Sequence, residues 1–187
     1  MLIRAVGPTL GLPPPQGFGF PGSLADPVLS LFSGNLAIAG NDDWGTPAGT
    51  GAANAAVLTN TFGLVGAFRL PAGSKDAAIL VTLVPGNYSA QVSSGGSGAA
   101  GVGLVEIYDV DILASFSAQK VMNLSTRGFV GAEQAQLIAG FVVSGNTAKK
   151  VMIRAAGPGL AAVAPGLAGT VLADPMLRLV RVMPDGS

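Results

Sequence analysis

The sequence contains no cysteine and no histidine among its 187 residues. Without cysteine there can be no disulfide framework and no thiolate metal site, and without histidine the commonest metal ligand and general base is missing. An absence of cysteine suits a bacterial extracellular protein that folds without oxidation. The absence does not by itself identify a compartment, but it leaves little of the familiar metal or nucleophile chemistry.

Charge is also scarce, since charged residues make up 11% of the chain against about 25% in an ordinary soluble domain. Ten basic and ten acidic residues cancel, so the chain lacks the positive field with which proteins bind nucleic acids or anionic membranes. The longest apolar runs, such as residues 77–84, stop far short of the roughly 18 residues that a membrane helix requires. We expect no nucleic-acid partner and no membrane insertion.

The first fifteen residues contain one arginine and early prolines instead of an apolar core. They do not have the pattern of a signal peptide. Export would therefore require a leader that is not present in this chain.

Glycine and proline are abundant, with 28 and 13 residues, and 49% of the chain is hydrophobic. The glycines and prolines cluster between short apolar runs, which is typical of turns between β-strands. The sequence therefore predicts an all-β fold, an antiparallel and jelly-roll-like β-sandwich with at most one short helix, at 49–62. Strands are predicted at 26–33, in LAIAG at 36–40, and at 67–70, 78–84, 88–93 and 103–108, with later strands at 136–144 and 149–155. Hairpins are predicted to join 67–70 to 78–84, 78–84 to 88–93, and 88–93 to 103–108.

Two phrases of the sequence occur twice. Residues 1–10, MLIRAVGPTL, match residues 151–160, VMIRAAGPGL, and the phrase LADP at 24–27 recurs at 172–175. Two phrases in the same order at nearly the same offset indicate a repeat. We interpret the chain as a β-sandwich at 1–111, which strands from the tail can complete, a connector at 112–135, and the start of a second copy at 136–187.

One loop groups oxygen-bearing side chains, at Asn41, Asp42 and Asp43. Calcium takes six to eight oxygen ligands, and such a loop could supply some of them. The alternative is that Asn41 and Asp42 shape a turn while Trp44 covers the core. Because no EF-hand spacing is present, we favour the turn and expect no cofactor, with calcium at this loop as the open alternative.

Each copy of the repeat places one arginine in an apolar strand and one aspartate just before another strand. A buried arginine needs a planar acceptor such as a carboxylate. We therefore predict structural ion pairs between Arg4 and Asp26 and between Arg154 and Asp174. The alternative is an arginine that binds a ligand carboxylate.

Catalytic pairings are few in this sequence. Ser74 and Lys75 are neighbours in a predicted turn and should point apart, and Glu106 and Asp109 lie three apart on a strand and should face opposite sides. Neither arrangement predicts a cooperating pair. We predict no catalytic residues and no enzymatic activity.

Several phrases, including LIRAVGPTL, LADPVLSLF, NDDWG, VEIYDVD, NLSTRG and LIAGFVVSG, resemble a β-sandwich repeat found in tandem in large secreted bacterial proteins. Residues 24–111 are more distantly similar to the bacterial pre-peptidase C-terminal domain, an accessory β-sandwich of secreted enzymes. The resemblance implies an extracellular, noncatalytic module. In that family NLSTRG and LIAGF precede LIRAVGP, so this chain is circularly shifted relative to the usual repeat.

Together these observations predict a structural or adhesive repeat module whose partners are copies of itself or neighbouring repeats. Residues 1–37 and 151–187 compete for one place in the fold, so one copy is left over. It can join chains head to tail by strand exchange into filaments, or the chain is a fragment of a longer tandem array whose partial copy folds beside its neighbour or frays. The alternative is a polysaccharide-binding accessory module. The chain has one tryptophan, two tyrosines and eight phenylalanines, most of them in apolar patterns. We therefore expect few of the exposed aromatics that carbohydrate sites present, which favours the structural role.

Overall fold

The computed structural model of the protein describes residues 1–96, 99–111, 121, 123–128, 130, 136–143, 148–167 and 169–181. Two compact units are present, Met1–Lys120 and Val121–Ser187. The predicted boundaries at 111 and 135, and the completion of the first unit by the tail, stay predictions. In the described part of the first unit lie strands β1 (Leu2–Val6), β2 (Pro27–Ser33), β3 (Leu36–Asn41), β4 (Ala77–Leu80), β5 (Tyr88–Ser94) and β6 (Leu104–Tyr108), with helices α1 (Pro8–Gly11) and α2 (Ala55–Val65).

The strands form two antiparallel sheets of three strands each. In the first sheet β1 lies between β4 and β6, and in the second β2 lies between β3 and β5. The central strand of each sheet thus comes from a phrase that occurs twice in the sequence. The expected all-β class is confirmed at this coarse level.

The first strand is buried along its whole length, because both of its faces are covered. Leu2 and Val6 pack in a core cluster with Leu58 and Phe62 of α2. Ile3 and Ala5, on the opposite face of β1, belong to a second cluster. This cluster also contains Leu29 and Leu31 of β2 and Ala77 and Ile79 of β4.

Helix α2 begins at Ala55, later than predicted. Gly49 and Gly51 adopt left-handed backbone, with φ of 94° and 82°, which suits turns and not a helix interior. The Asn54 side chain then caps the helix by accepting a hydrogen bond from the Val57 amide at 3.0 Å, as an N-cap does. Gly66 ends the helix in the left-handed conformation.

The three predicted hairpins are wrong. The consecutive strands β4 and β5 lie in different sheets, as do β5 and β6, so only β2 and β3 pair as sequence neighbours. Residues 67–70 are not a strand, because this segment continues from the helix cap, where the Ala67 amide bonds the Phe62 carbonyl. The predicted strand at 78–84 stops at Leu80.

The described residues of the second unit contain helix α3 (Pro158–Val163) and a short 3-10 helix (Pro165–Leu167). Helical segments therefore exceed the single one expected. The strands predicted at 136–144 and 149–155 are not found in the described parts of those ranges. None of the helices among the described residues has the length and apolarity needed to cross a membrane.

Candidate functional site

Arg4 is a fully buried charged residue in the middle of β1. Its Nη1 donates a hydrogen bond to the Phe68 carbonyl at 2.7 Å, and its Nη2 lies 3.1 Å from Glu106 Oε2. The guanidinium carbon lies 4.2 Å from the ring centroid of Phe68 and 4.7 Å from that of Phe62. Burial lowers the pKa of Arg4, and the Glu106 charge opposes that effect. The cation is thus held by one carboxylate and two aromatic faces.

The structure therefore corrects the predicted pairing of Arg4 with Asp26. Glu106 faces Arg4 because β6 pairs with β1 in a register that sets these two residues opposite each other. Asp26 instead accepts a hydrogen bond from Lys75 Nζ at 2.9 Å. In the second copy, Arg154 and Asp174 are both exposed, and the described residues hold no ion pair between them.

Tyr108 extends this cluster toward the surface. Its hydroxyl donates a hydrogen bond to Glu106 Oε1 at 2.6 Å. Desolvation, aided by that hydrogen bond and by the Glu106 charge, raises the pKa of Tyr108 to about 12. One carboxylate thus binds a buried cation and a phenol that stays protonated.

Asp76 is a fully buried carboxylate that the sequence analysis did not identify. Its Oδ1 accepts hydrogen bonds from the amides of Gly7 at 2.8 Å and Thr9 at 3.3 Å. Its Oδ2 accepts from the Thr9 hydroxyl and from Ser74 Oγ at 2.6 Å. The carboxylate therefore ties the turn after β1 to the residues before β4. The signal in the sequence is a lone aspartate directly before an apolar strand.

The loop after β3 matches the turn interpretation. Asn41 is buried, and its Nδ2 donates to the carbonyls of Asp43 and Thr46 at 3.1 Å each. Its Oδ1 accepts the Ala78 amide at 2.9 Å. Trp44 is 5% exposed, and its indole nitrogen donates to the Pro71 carbonyl at 3.1 Å. The side chain of Asn41 thus stabilises the loop and bonds it to β4, and Trp44 covers the core.

An acidic cluster lies beside this loop, formed by Asp26, Asp42 and Asp43 with one carboxylate oxygen of each within 4.8 Å of the others. The hydrogen bond to Asp26 raises the pKa of Lys75, which supplies a positive charge here. One buried oxygen of Asp26 and one of Asp43 have no hydrogen-bond partner. The atoms that could bind a metal here are oxygens, which calcium prefers, but they are fewer than the six to eight ligands that calcium usually takes. We therefore assign no metal.

A surface cleft of about 440 Å³ lies at the loop after α1. The rings of Phe18 and Phe68 meet there edge to face, with centroids 5.0 Å apart. Phe18 is 49% exposed and Phe20 is 54% exposed, so these two aromatic side chains lie at the surface. The other lining residues are Pro15, Gln16, Gly17, Arg69 and Pro71.

The two pairs weighed as catalytic candidates do not cooperate. Ser74 donates to Asp76, whereas the neighbouring Lys75 donates to Asp26. Glu106 faces Arg4, whereas Asp109 accepts a hydrogen bond from the amide of Asp111. Each of these side chains has a structural partner of its own.

Comparisons with protein-family models, curated proteins and solved structures find no match for this chain. The similarity to a tandem β-sandwich repeat and to the pre-peptidase C-terminal domain therefore stays an expectation from the sequence.

Proposed function

We propose that the protein is a noncatalytic structural or adhesive repeat module and that its two sheets form a β-sandwich. The arrangement of apolar side chains supports the sandwich. Ile3 of the first sheet and Leu29 and Leu31 of the second belong to one cluster of buried residues, as expected when two sheets bury their inner faces against each other.

The observation that carries the structural role is what the two copies share. The buried residues Ile3, Ala5, Leu29 and Leu31 recur unchanged as Ile153, Ala155, Leu177 and Leu179. The exposed Ser33, by contrast, corresponds to Arg181. The buried Leu2, Val6 and Thr9 change to Met152, Ala156 and Gly159, so the repeat preserves the apolar residues that β1 and β2 bury in one cluster, which is a property of a shared scaffold.

We further propose an extracellular or cell-surface location. This rests on the missing cysteines, the low charge content and the similarity to a repeat of secreted bacterial proteins. Neighbouring repeats of the same type are the partners that such a scaffold would contact.

Filament formation by strand exchange is less well supported for intact chains. Two chains contain four copies of the repeated segment and two sets of the strands that pair with it. If two chains exchange their repeated segments, two of the four segments still lack pairing strands, the same number as in two separate chains. The number of paired strands therefore does not favour assembly.

A polysaccharide-binding role is the second candidate, and the cleft at Phe18, Phe20 and Phe68 is the observation that favours it. Exposed aromatic rings can pack against the apolar faces of sugars. The loop that carries Phe18 and Phe20 also differs between the copies, since residues 161–171 contain no aromatic residue.

A glycan array probed with the intact protein separates the two roles. The structural role predicts no glycan bound above background by the intact protein or by a Phe18→Ser/Phe20→Ser variant. Binding that the double variant loses would establish the polysaccharide-binding role at this cleft. Binding by both proteins would also contradict the structural role and would place the site elsewhere.

A further inference from the structure

The second copy keeps the turn of the first. A Cβ added to Gly7 would overlap the Leu24 carbonyl oxygen, and one added to Gly157 would overlap that of Leu172. The amide of Leu160 bonds the Gly157 carbonyl at 2.9 Å, as the amide of Leu10 bonds that of Gly7 at 3.0 Å. The repeated segment therefore adopts the same local structure twice.

The residues of the second copy that correspond to β1 and β2, in contrast, are not part of a sheet. Residues 152–156 and 175–181, which correspond to β1 and β2, are not in strands, and Met152 and Leu179 are 83% and 69% exposed. In the first unit β1 and β2 are paired on both sides by β3, β4, β5 and β6. The sequence contains the repeated segment twice but residues 36–108, which include all four partner strands, once.

We infer that residues 152–156 and 175–181 of one chain can bind a second copy of this chain and take the places of its β1 and β2. This happens when residues 2–6 and 27–33 of that second copy, its first segment, cannot form those strands themselves. This inference rests on the proposed structural role. The occupant is a second copy of this chain because the two segments share every residue that β1 and β2 bury between the sheets, namely Ile3, Ala5, Leu29 and Leu31.

Charge complementarity supports the same assignment. Arg4 recurs as Arg154, which is exposed, whereas Glu106, the ion-pair partner of Arg4, lies in the part of the sequence that is not repeated. In the β1 position of a second copy, Arg154 would meet that copy's Glu106 in the register of Arg4. The exposed cation of the second segment would thus gain a carboxylate partner.

Two differences explain why an intact chain uses its first segment. The fully buried Val6 corresponds to Ala156, which has two fewer methyl groups to bury. Thr9, whose hydroxyl donates to Asp76, corresponds to Gly159, which has no hydroxyl. The second segment therefore fits the same place less well and enters only where the first is disabled.

The test mixes two full-length variants. The acceptor has both of its own segments disabled, and the donor keeps an intact second segment that can bind the acceptor. In the acceptor, both segments are disabled by Gly7→Val with Leu29→Asp and by Gly157→Val with Leu177→Asp. Valine at the glycines overlaps a carbonyl oxygen, and aspartate at Leu29 places an unpaired carboxylate between the sheets. The donor carries Trp44→Phe, and the control donor adds Gly157→Val and Leu177→Asp to that change.

Trp44 is the only tryptophan and is buried against Phe62, so its fluorescence in these mixtures reports the acceptor alone. We expect the donor, but not the control donor, to shift the acceptor emission to that of the intact protein, with saturation at one donor per acceptor. No shift with the donor, or an equal shift with both donors, would overturn the inference.

A disulfide test gives a readout that is independent of fluorescence. Ile3 pairs with Ile79, so Ile153→Cys in the donor should cross-link to Ile79→Cys in the acceptor, and the chain has no other cysteine. Met152→Cys in the donor points to the opposite face and is the matched control. Equal cross-linking of both donors, or none, would overturn the inference, whereas the glycan array tests the structural role separately.

Discussion

Asp76 and Arg4 are both fully buried, and they are compensated in different ways. Asp76 accepts hydrogen bonds from two amides and two hydroxyls. Arg4 relies on Glu106, a carbonyl and two aromatic rings. A change at either residue leaves buried polar groups without partners, and such groups account for large losses of stability.

Asp76→Asn should lower the free energy of unfolding by about 3 kcal/mol, because an amide nitrogen cannot accept the hydrogen bonds that reach the carboxylate. Urea unfolding followed by Trp44 fluorescence measures this change. Asp42→Asn is the matched control, since Asp42 is exposed, and should change the free energy by less than about 0.5 kcal/mol. Equal effects at the two positions would contradict the assigned role of Asp76.

Tyr108 should make stability fall at high pH. Its pKa in the folded protein is about 12, above the value of about 10 for an unfolded chain. Between these values the folded state holds a proton that the unfolded state has released, so stability falls as pH rises from about 10 to 12. Tyr108→Phe should reduce this fall in thermal unfolding scans. Tyr88→Phe, which removes a hydroxyl bonded to the Val84 carbonyl, should retain it.

We predict that the stability of the protein depends little on calcium. In the acidic cluster of Asp26, Asp42 and Asp43, Lys75 already binds the carboxylate of Asp26. A chelator should leave the melting temperature nearly unchanged. A drop of more than about 10 °C, abolished by Asp42→Ala, would show that the cluster holds a stabilising ion.

At the scale of elements, β2 and its neighbours show what local pattern can predict. The alternation of Leu29 and Leu31 with Val28, Ser30 and Phe32 predicted β2. A similar alternation predicted β6, and the turn residues 85–87 predicted the start of β5. The pairing of these strands could not be predicted, because every pair of consecutive strands except β2 and β3 lies in different sheets. The partners of Arg4 and Asp76 were missed for the same reason, since Gly7 bonds a carboxylate 69 residues away.

Leu29→Ala should lower the free energy of unfolding by about 2 to 5 kcal/mol, as expected for a large-to-small change in a packed core. Leu29 is fully buried at the centre of the second sheet. Leu36→Ala is the control on the neighbouring strand, because Leu36 is 69% exposed. A loss below about 1 kcal/mol at Leu29 would show that β2 is not a central strand.

At the scale of the whole molecule, the same short sequence is present in two environments. The first copy is paired on both sides and buried, whereas the described residues of the second are largely exposed and not in strands. Intrinsic strand preference is a poor explanation of this difference, because Ile3, Ala5, Leu29 and Leu31 recur unchanged in the second copy and the buried Leu2 and Val6 are replaced by the apolar Met152 and Ala156. The presence or absence of pairing strands therefore decides the structure.

Hydrogen exchange followed by mass spectrometry tests this claim most directly, because the nearly identical copies act as internal references for each other. Amides of residues 2–6 and 28–33 should exchange slowly, since they lie in the central strands of the two sheets. Amides of 152–156 and 175–181 should exchange at close to the rate of an unprotected chain. Equal protection of the two copies would contradict the account, because it would show that the second segment is also paired.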